Sequence, residues 1–165
     1  MTITLFVALC LCGQTQAAIH VRAVPQGLGL AAKFPADVGI ETHPSVLFAE
    51  SFESGPIADL GKRWESVENK DLSVLELVED APIEGAGKQS LRITAHPGRD
   101  TGGHLYRRLP REVETLYLRF YVKFPEPTNY VHHFVHFGGY HPSTPWPQGG
   151  AGNRPMGDER VTVGI

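Results

Sequence analysis

The chain has no cysteine beyond Cys12, and both of its cysteines, Cys10 and Cys12, lie in the first dozen residues. A segment starting after them has no disulfide and no cysteine metal ligand, so its stability must come from packing or from a bound ion. No Lys or Arg occurs before Arg22, and no basic block or tail occurs anywhere. The formal net charge of −3 gives nucleic acid no footing as a partner. A neutral or anionic glycan stays open, because a local patch can differ in sign from the whole molecule. No apolar run reaches the ~20 residues that a membrane helix needs. No stretch beyond the N-terminal segment keeps helical periodicity for three turns.

What is present begins with an apolar run from Ile3 to Cys12, followed by polar and small residues. It is too short to span a bilayer and has the form of a signal-peptide core. Thr15 and Ala17 supply small residues at the −3 and −1 positions, which places cleavage after Ala17. The missing basic residue ahead of the run is a departure from the usual pattern. A lipoprotein needs small residues just before a cysteine, and Leu9 and Leu11 stand there instead. The expected location is therefore secreted or periplasmic, with no membrane association after cleavage. Residues 1–17 are read as the signal peptide, and residues 18–44, broken by Pro25, Gly27, Gly29, Pro35, Gly39 and Pro44, as a linker or irregular arm.

From Ser45 the pattern becomes one of short strands. Candidates are Val46–Glu53, Leu72–Val78, Ser90–His96, His104–Leu109, Leu116–Phe124, Tyr130–Phe137 and Arg160–Ile165, with a Gly/Pro-rich loop from Gly138 to Asp158. Eighteen glycines and 13 prolines suit many turns. Strands at this spacing predict an all-β sandwich or barrel. The sequence stops inside a strand pattern, which predicts that residues 45–165 are the N-terminal part of a longer domain truncated at its C-terminus.

Side chains alternate across a strand, so each face reads separately. Leu116, Leu118, Phe120, Val122 and Phe124 form a core face, and Leu118, Phe120 and Val122 are expected to be buried. Tyr117, Arg119, Tyr121 and Lys123 form the other face. Tyr130, His132, Phe134 and His136 share one face of the following strand. A hairpin about Pro125–Asn129 would bring Tyr117, Arg119, Tyr121, Lys123, Tyr130, His132 and His136 onto one surface. His104, Tyr106 and Arg108 continue the style. Aromatic rings stack on pyranose C–H surfaces, and cations pair with uronate or sulfate groups. An ordinary polar outer sheet face has much the same composition. Tyr140, His141 and Trp146 are expected ligand contacts on the long loop, unless Trp146 only packs on the sheet edge.

His132 and His133 point to opposite faces, and four residues along a strand is about 13 Å, so these histidines do not predict a zinc site. No strand face shows the carboxylate pair of a glycosidase. No cofactor is required, and a structural calcium with Glu50 or Glu53 as ligand stays open.

The Phe-x-Glu-Ser-Phe-Glu-Ser-Gly pattern at residues 48–55 resembles the first strand of concanavalin A-like jelly-roll proteins. Gly102-Gly-His-Leu-Tyr106, Leu116-Tyr-Leu-Arg-Phe-Tyr-Val-Lys-Phe124 and Tyr130-Val-His-His-Phe-Val-His-Phe-Gly-Gly139 look like the polysaccharide-lyase-like members, of the alginate- and glucuronan-lyase type. The resemblance covers residues 45–165 and implies an antiparallel jelly-roll β-sandwich. It implies β-elimination on a uronate-containing glycan, with Arg119 neutralising the carboxylate, His132 or His136 removing the C5 proton and Tyr121 protonating the leaving oxygen. Tyr106, Arg108, Tyr117, Lys123, Tyr130, Tyr140, His141 and Trp146 would bind the chain. The Gln-Ile-His strand and the C-terminal Tyr strand of those lyases are not found here. A non-catalytic, lectin-like module and a cell-surface structural protein are the alternatives.

Overall fold

A computed structural model describes residues 29–68, 73–81, 87–128, 131, 134–150, 152–154 and 156–165. The proposed signal peptide and the first part of the arm, residues 18–28, lie outside these residues, as do Tyr130, His132 and His133. The regular structure of the described residues is mostly short strands with no α-helix, in keeping with an all-β class. Four short 3-10 helices, Leu30–Lys33, Pro35–Asp37, Ile40–Thr42 and Ile57–Lys62, precede the strands. The strands are β1 (Ser66–Glu68), β2 (Leu75–Val78), β3 (Ser90–Ile93), β4 (His104–Tyr106), β5 (His136–Tyr140) and β6 (Arg160–Gly164). They pair as β1 with β4, β2 with β3 and β5 with β6, in three two-stranded sheets.

The chain divides into two compact units, and each is considered by itself. The first comprises Met1–Pro56, Glu76–Arg92 and Leu109–Lys123; the second comprises Ile57–Leu75, Ile93–Arg108 and Phe124–Ile165.

In the first unit, carboxylates do much of the fastening. Glu53 accepts the backbone N–H groups of Lys88 and Gln89 through one oxygen, at 2.6 and 2.7 Å. The Gln89 and Lys88 amides hold the Glu53 carboxyl below the ordinary carboxylate range. A carboxyl lowered on folding stabilises the fold above its unfolded pKa. That contribution is lost as acid protonates the folded form. From Leu116 to Phe120 half-buried and exposed residues alternate as expected, but Tyr121 is half-buried like its neighbours and Phe124, expected on the core face, is 45% exposed. Neither Leu116–Phe124 nor Val46–Glu53 forms a β-strand. Leu118, Phe120 and Val122 are half-buried rather than buried.

The second unit contains the fully enclosed apolar side chains among the described residues: Leu60, Val74 and Leu75. β1 and β4 run antiparallel with Ser66 opposite Tyr106, Val67 opposite Leu105 and Glu68 opposite His104. Residues directly opposite share a face. One face therefore carries Val67 and Leu105, and the other carries Ser66, Glu68, His104 and Tyr106. Gly103 enters β4 where a Cβ would meet the Glu68 carbonyl and the Val74 and Leu75 side chains, so only glycine fits. The Gly102–Gly103 pair thus serves both the turn and the close approach.

The preceding turn is fixed by Asp100, whose side chain is 2% exposed. It accepts the backbone N–H groups of His96 and Gly102 through Oδ1 and meets His96 Nδ1 through Oδ2. Burial pushes the Asp100 carboxyl up, but the His96 amide, the His96 ring and the Gly102 amide outweigh it, leaving it below the ordinary range.

β5 and β6 are antiparallel, from His136 opposite Gly164 to Tyr140 opposite Arg160. The sequence reading placed Gly138–Tyr140 in the loop. The structure extends the strand through them, because β6 offers backbone partners and Gly138 lets it approach. A Cβ on Gly138 would collide with the Val161 carbonyl, whereas one on Gly139 would meet only Val161 Cγ1 at 3.9 Å. Gly138→Ala should therefore cost about 1–3 kcal/mol by overpacking, and Gly139→Ala far less. Thermal melting of the two variants checks this; equal midpoints would contradict the register.

Candidate glycan site

Two polar constellations gather some of the residues singled out from the sequence: Arg119 and Tyr121 in one, Tyr106 and Trp146 in the other. The first, within the first unit, centres on Asp37. Arg119 Nη1 lies 2.7 Å from Asp37 Oδ1, and the Tyr121 hydroxyl donates to Asp37 Oδ2 at 2.7 Å. Arg119 also donates through Nη2 to the Tyr121 oxygen and stands over its ring, 5.1 Å from the centroid. The side chains two residues apart thus converge on one carboxylate, as members of one extended face should. Asp37, with φ +61°, went unnoticed in the sequence because its return to residues 119–121 is a tertiary event.

Burial raises the Tyr121 phenol above its usual pKa, and the hydrogen bond and charge of Asp37 raise it further, against an opposing effect of Arg119. The hydroxyl therefore keeps its proton well above neutral pH. Lys123 on the same stretch meets Asp80 Oδ2 at 2.7 Å. Tyr117 is exposed.

The second constellation lies on the polar face of the β1–β4 sheet. The Trp146 ring packs against His104 at 4.6 Å and Tyr106 at 5.9 Å between centroids. Tyr106 donates its hydroxyl to the Thr144 carbonyl at 2.6 Å, tying the loop down beside the sheet. Trp146 remains 45% exposed. Its ring packs on the sheet, as one of the two alternatives posed by the sequence has it, and leaves part of its surface to solvent. His104 Nδ1 lies 2.9 Å from Glu68 Oε2, and its Nε2 lies 3.3 Å from Ser66 Oγ.

Beyond the end of β4 at Tyr106 the chain continues into Arg107 and Arg108. These border a cleft of about 300 Å³ with Gly61, Lys62, Arg63, Trp64 and Glu65. Arg108 holds Glu65 through Nε at 3.0 Å and Nη2 at 2.8 Å. That pairing draws the Glu65 carboxyl below its ordinary range. Arg107 donates to the Arg63 carbonyl, and Lys62 pairs with Asp59 at 2.9 Å. Four cations against one carboxylate on the lining make this cleft electropositive.

His136 and Tyr140 lie on β5 in the second unit, on one face of that strand, and His141 follows it exposed. Arg119, Tyr117, Tyr121 and Lys123 lie in the first unit. Tyr130 and His132 fall outside the described residues, as does any hairpin through them. Among the described residues β5 pairs with β6 rather than with residues 116–124. No group of three or more His, Cys, Asp or Glu side chains among the described residues is arranged to hold a metal ion. A second cleft, about 340 Å³, is bordered by Glu53, Leu77, Val78, Glu79 and Gln89. No helix of the described residues is long and apolar enough to cross a membrane.

Comparison with protein-family models, with curated proteins and with solved structures finds no match.

The Asp37 cluster makes a spectroscopic prediction. Ultraviolet titration should find the Tyr121 phenolate forming above the ordinary tyrosine range. Asp37→Asn should bring it part of the way back, since burial remains when the charge is gone. A Tyr121 pKa unmoved by that substitution would contradict the contact.

Proposed function

We propose that the chain is an exported, polysaccharide-active protein that binds a uronate-containing glycan on the second unit. The single observation behind this reading is the half-exposed Trp146 ring seated over His104 and Tyr106, on the strand that leads into the cationic cleft. A flat aromatic surface suits the C–H face of a sugar, and Arg107 and Arg108 suit a carboxylate. Binding of such a chain weakens with salt, because exposed charges are screened.

The chemistry proposed is β-elimination of the polysaccharide-lyase type, within a jelly-roll domain of the concanavalin A-like kind. The parts of that chemistry that lie together within the first unit are Arg119, as carboxylate neutraliser, and Tyr121, as acid. Neutralisation matters because the C5 proton is acidic only when the developing enolate charge is stabilised.

The second reading, a non-catalytic glycan-binding module, is favoured by the Arg119–Asp37 ion pair. An arginine already matched by a carboxylate must exchange that partner for the uronate. Turnover separates the two readings.

Trp146→Ala should weaken binding to a polyuronate about tenfold, equivalent to ~1.4 kcal/mol, without unfolding the chain. Unsaturated products absorbing at the ultraviolet edge should appear with the unaltered protein and disappear with Arg119→Ala. Binding without such products supports the module. Unchanged binding by the Trp146 variant overturns the glycan seat.

A further inference from the structure

The polar face of the β1–β4 sheet contains a chain of contacts that glycan binding leaves unused. Ser66 Oγ lies 3.3 Å from His104 Nε2, and His104 Nδ1 lies 2.9 Å from Glu68 Oε2. The two ring nitrogens have different partners. A proton on Nδ1 donates to the carboxylate and leaves the Nε2 lone pair toward the hydroxyl. That is the order of groups in an activated serine: nucleophile, base, and a carboxylate that fixes the base's tautomer and stabilises its charged form. The cross-strand register supplies the arrangement. Glu68 stands directly opposite His104, and Ser66 is two residues along β1 on the same face. Trp146 covers the ring at 4.6 Å. The His104 side chain stays 26% exposed and that of Glu68 40% exposed, so the group is open to a substrate.

We infer that Ser66, His104 and Glu68 form an acyl-transfer site that hydrolyses esters, with glycan O-acyl esters as the substrate class. The assignment to glycan rests on the proposed sugar seat; the nucleophile does not. Ser66 Oγ attacks the ester carbonyl carbon while its proton passes to His104 Nε2, and Glu68 holds the resulting imidazolium. The tetrahedral adduct breaks its bond to the sugar oxygen, which takes that proton and leaves as an alcohol. Water then gives a proton to the same nitrogen and attacks the acyl carbon. The adduct collapses, Ser66 Oγ recovers the proton, and the carboxylic acid departs. The 3.3 Å approach is long for such a bond, but nucleophile–base contacts commonly tighten when substrate binds.

The test is covalent labelling of the full chain with a fluorophosphonate, read by peptide mass spectrometry, with hydrolysis of p-nitrophenyl acetate and of acetylated polyuronate measured alongside. The expected adduct is on Ser66. Ser66→Ala should abolish it, and Glu68→Gln, nearly isosteric, should slow labelling more than about tenfold by releasing the imidazole. An unlabelled Ser66 in the unaltered protein overturns the proposal, as does labelling of Glu68→Gln at the unaltered rate. Labelling with turnover of p-nitrophenyl acetate but not of the acetylated polyuronate keeps the nucleophile and overturns its glycan assignment. Intact polyuronate binding without any adduct overturns the nucleophile alone and leaves the glycan reading standing.

Discussion

The register between β1 and β4 is the constraint on which the second unit's chemistry depends. Three residue pairs fix it, and a shift of one residue would turn Glu68 and His104 to opposite faces. Two features hold the register. Gly103 admits the Glu68 carbonyl where no side chain could fit, and Asp100 clasps the turn before it with three hydrogen bonds. With the register set, Tyr106 anchors Thr144, Trp146 settles on His104, and the polar face becomes a surface with both aromatic and acid–base character.

A related economy is seen in the first unit. Where no disulfide is at hand, acidic side chains gather segments distant in sequence. Glu53 holds the amides of residues 88 and 89, and Asp37 holds Arg119 and Tyr121. Each carboxylate accepts from two donors, which suits an acceptor-only group. Such fastening depends on ionisation. Glu53, with its lowered pKa, holds it down through the carboxylate range and releases it in stronger acid, and Asp100 behaves in the same way within the second unit.

Period-two alternation made much of the strand content legible. Ser90–Ile93, His104–Tyr106, Leu75–Val78 and Arg160–Gly164 fall within segments marked by it. β1 escaped notice because Ser66-Val67-Glu68 offers one apolar residue, too little for a period to register. Residues 116–120 show the opposite case, alternating in exposure without forming a β-strand. Which segments meet is set by long-range pairing, and local pattern has no term for it. The same holds for the site. Arg119 and Tyr121 were found together because they are two residues apart on one face. Asp37, Ser66 and Glu68 were missed because their partners lie far along the chain. The aromatic, histidine and cation content of the 104–108 segment and Trp146 on the loop were the local signs of the proposed glycan seat; that they meet is set by the return of the loop.

The central claim is that Trp146 is a sugar-stacking ring. The chain has two tryptophans, so a Trp64→Phe background isolates the emission of Trp146. Titration with an oligouronate should then change that emission saturably, with a midpoint that rises with salt, and a neutral chain of the same length should act more weakly. An emission unchanged through millimolar oligouronate, in a protein whose circular dichroism shows it folded, would contradict the account.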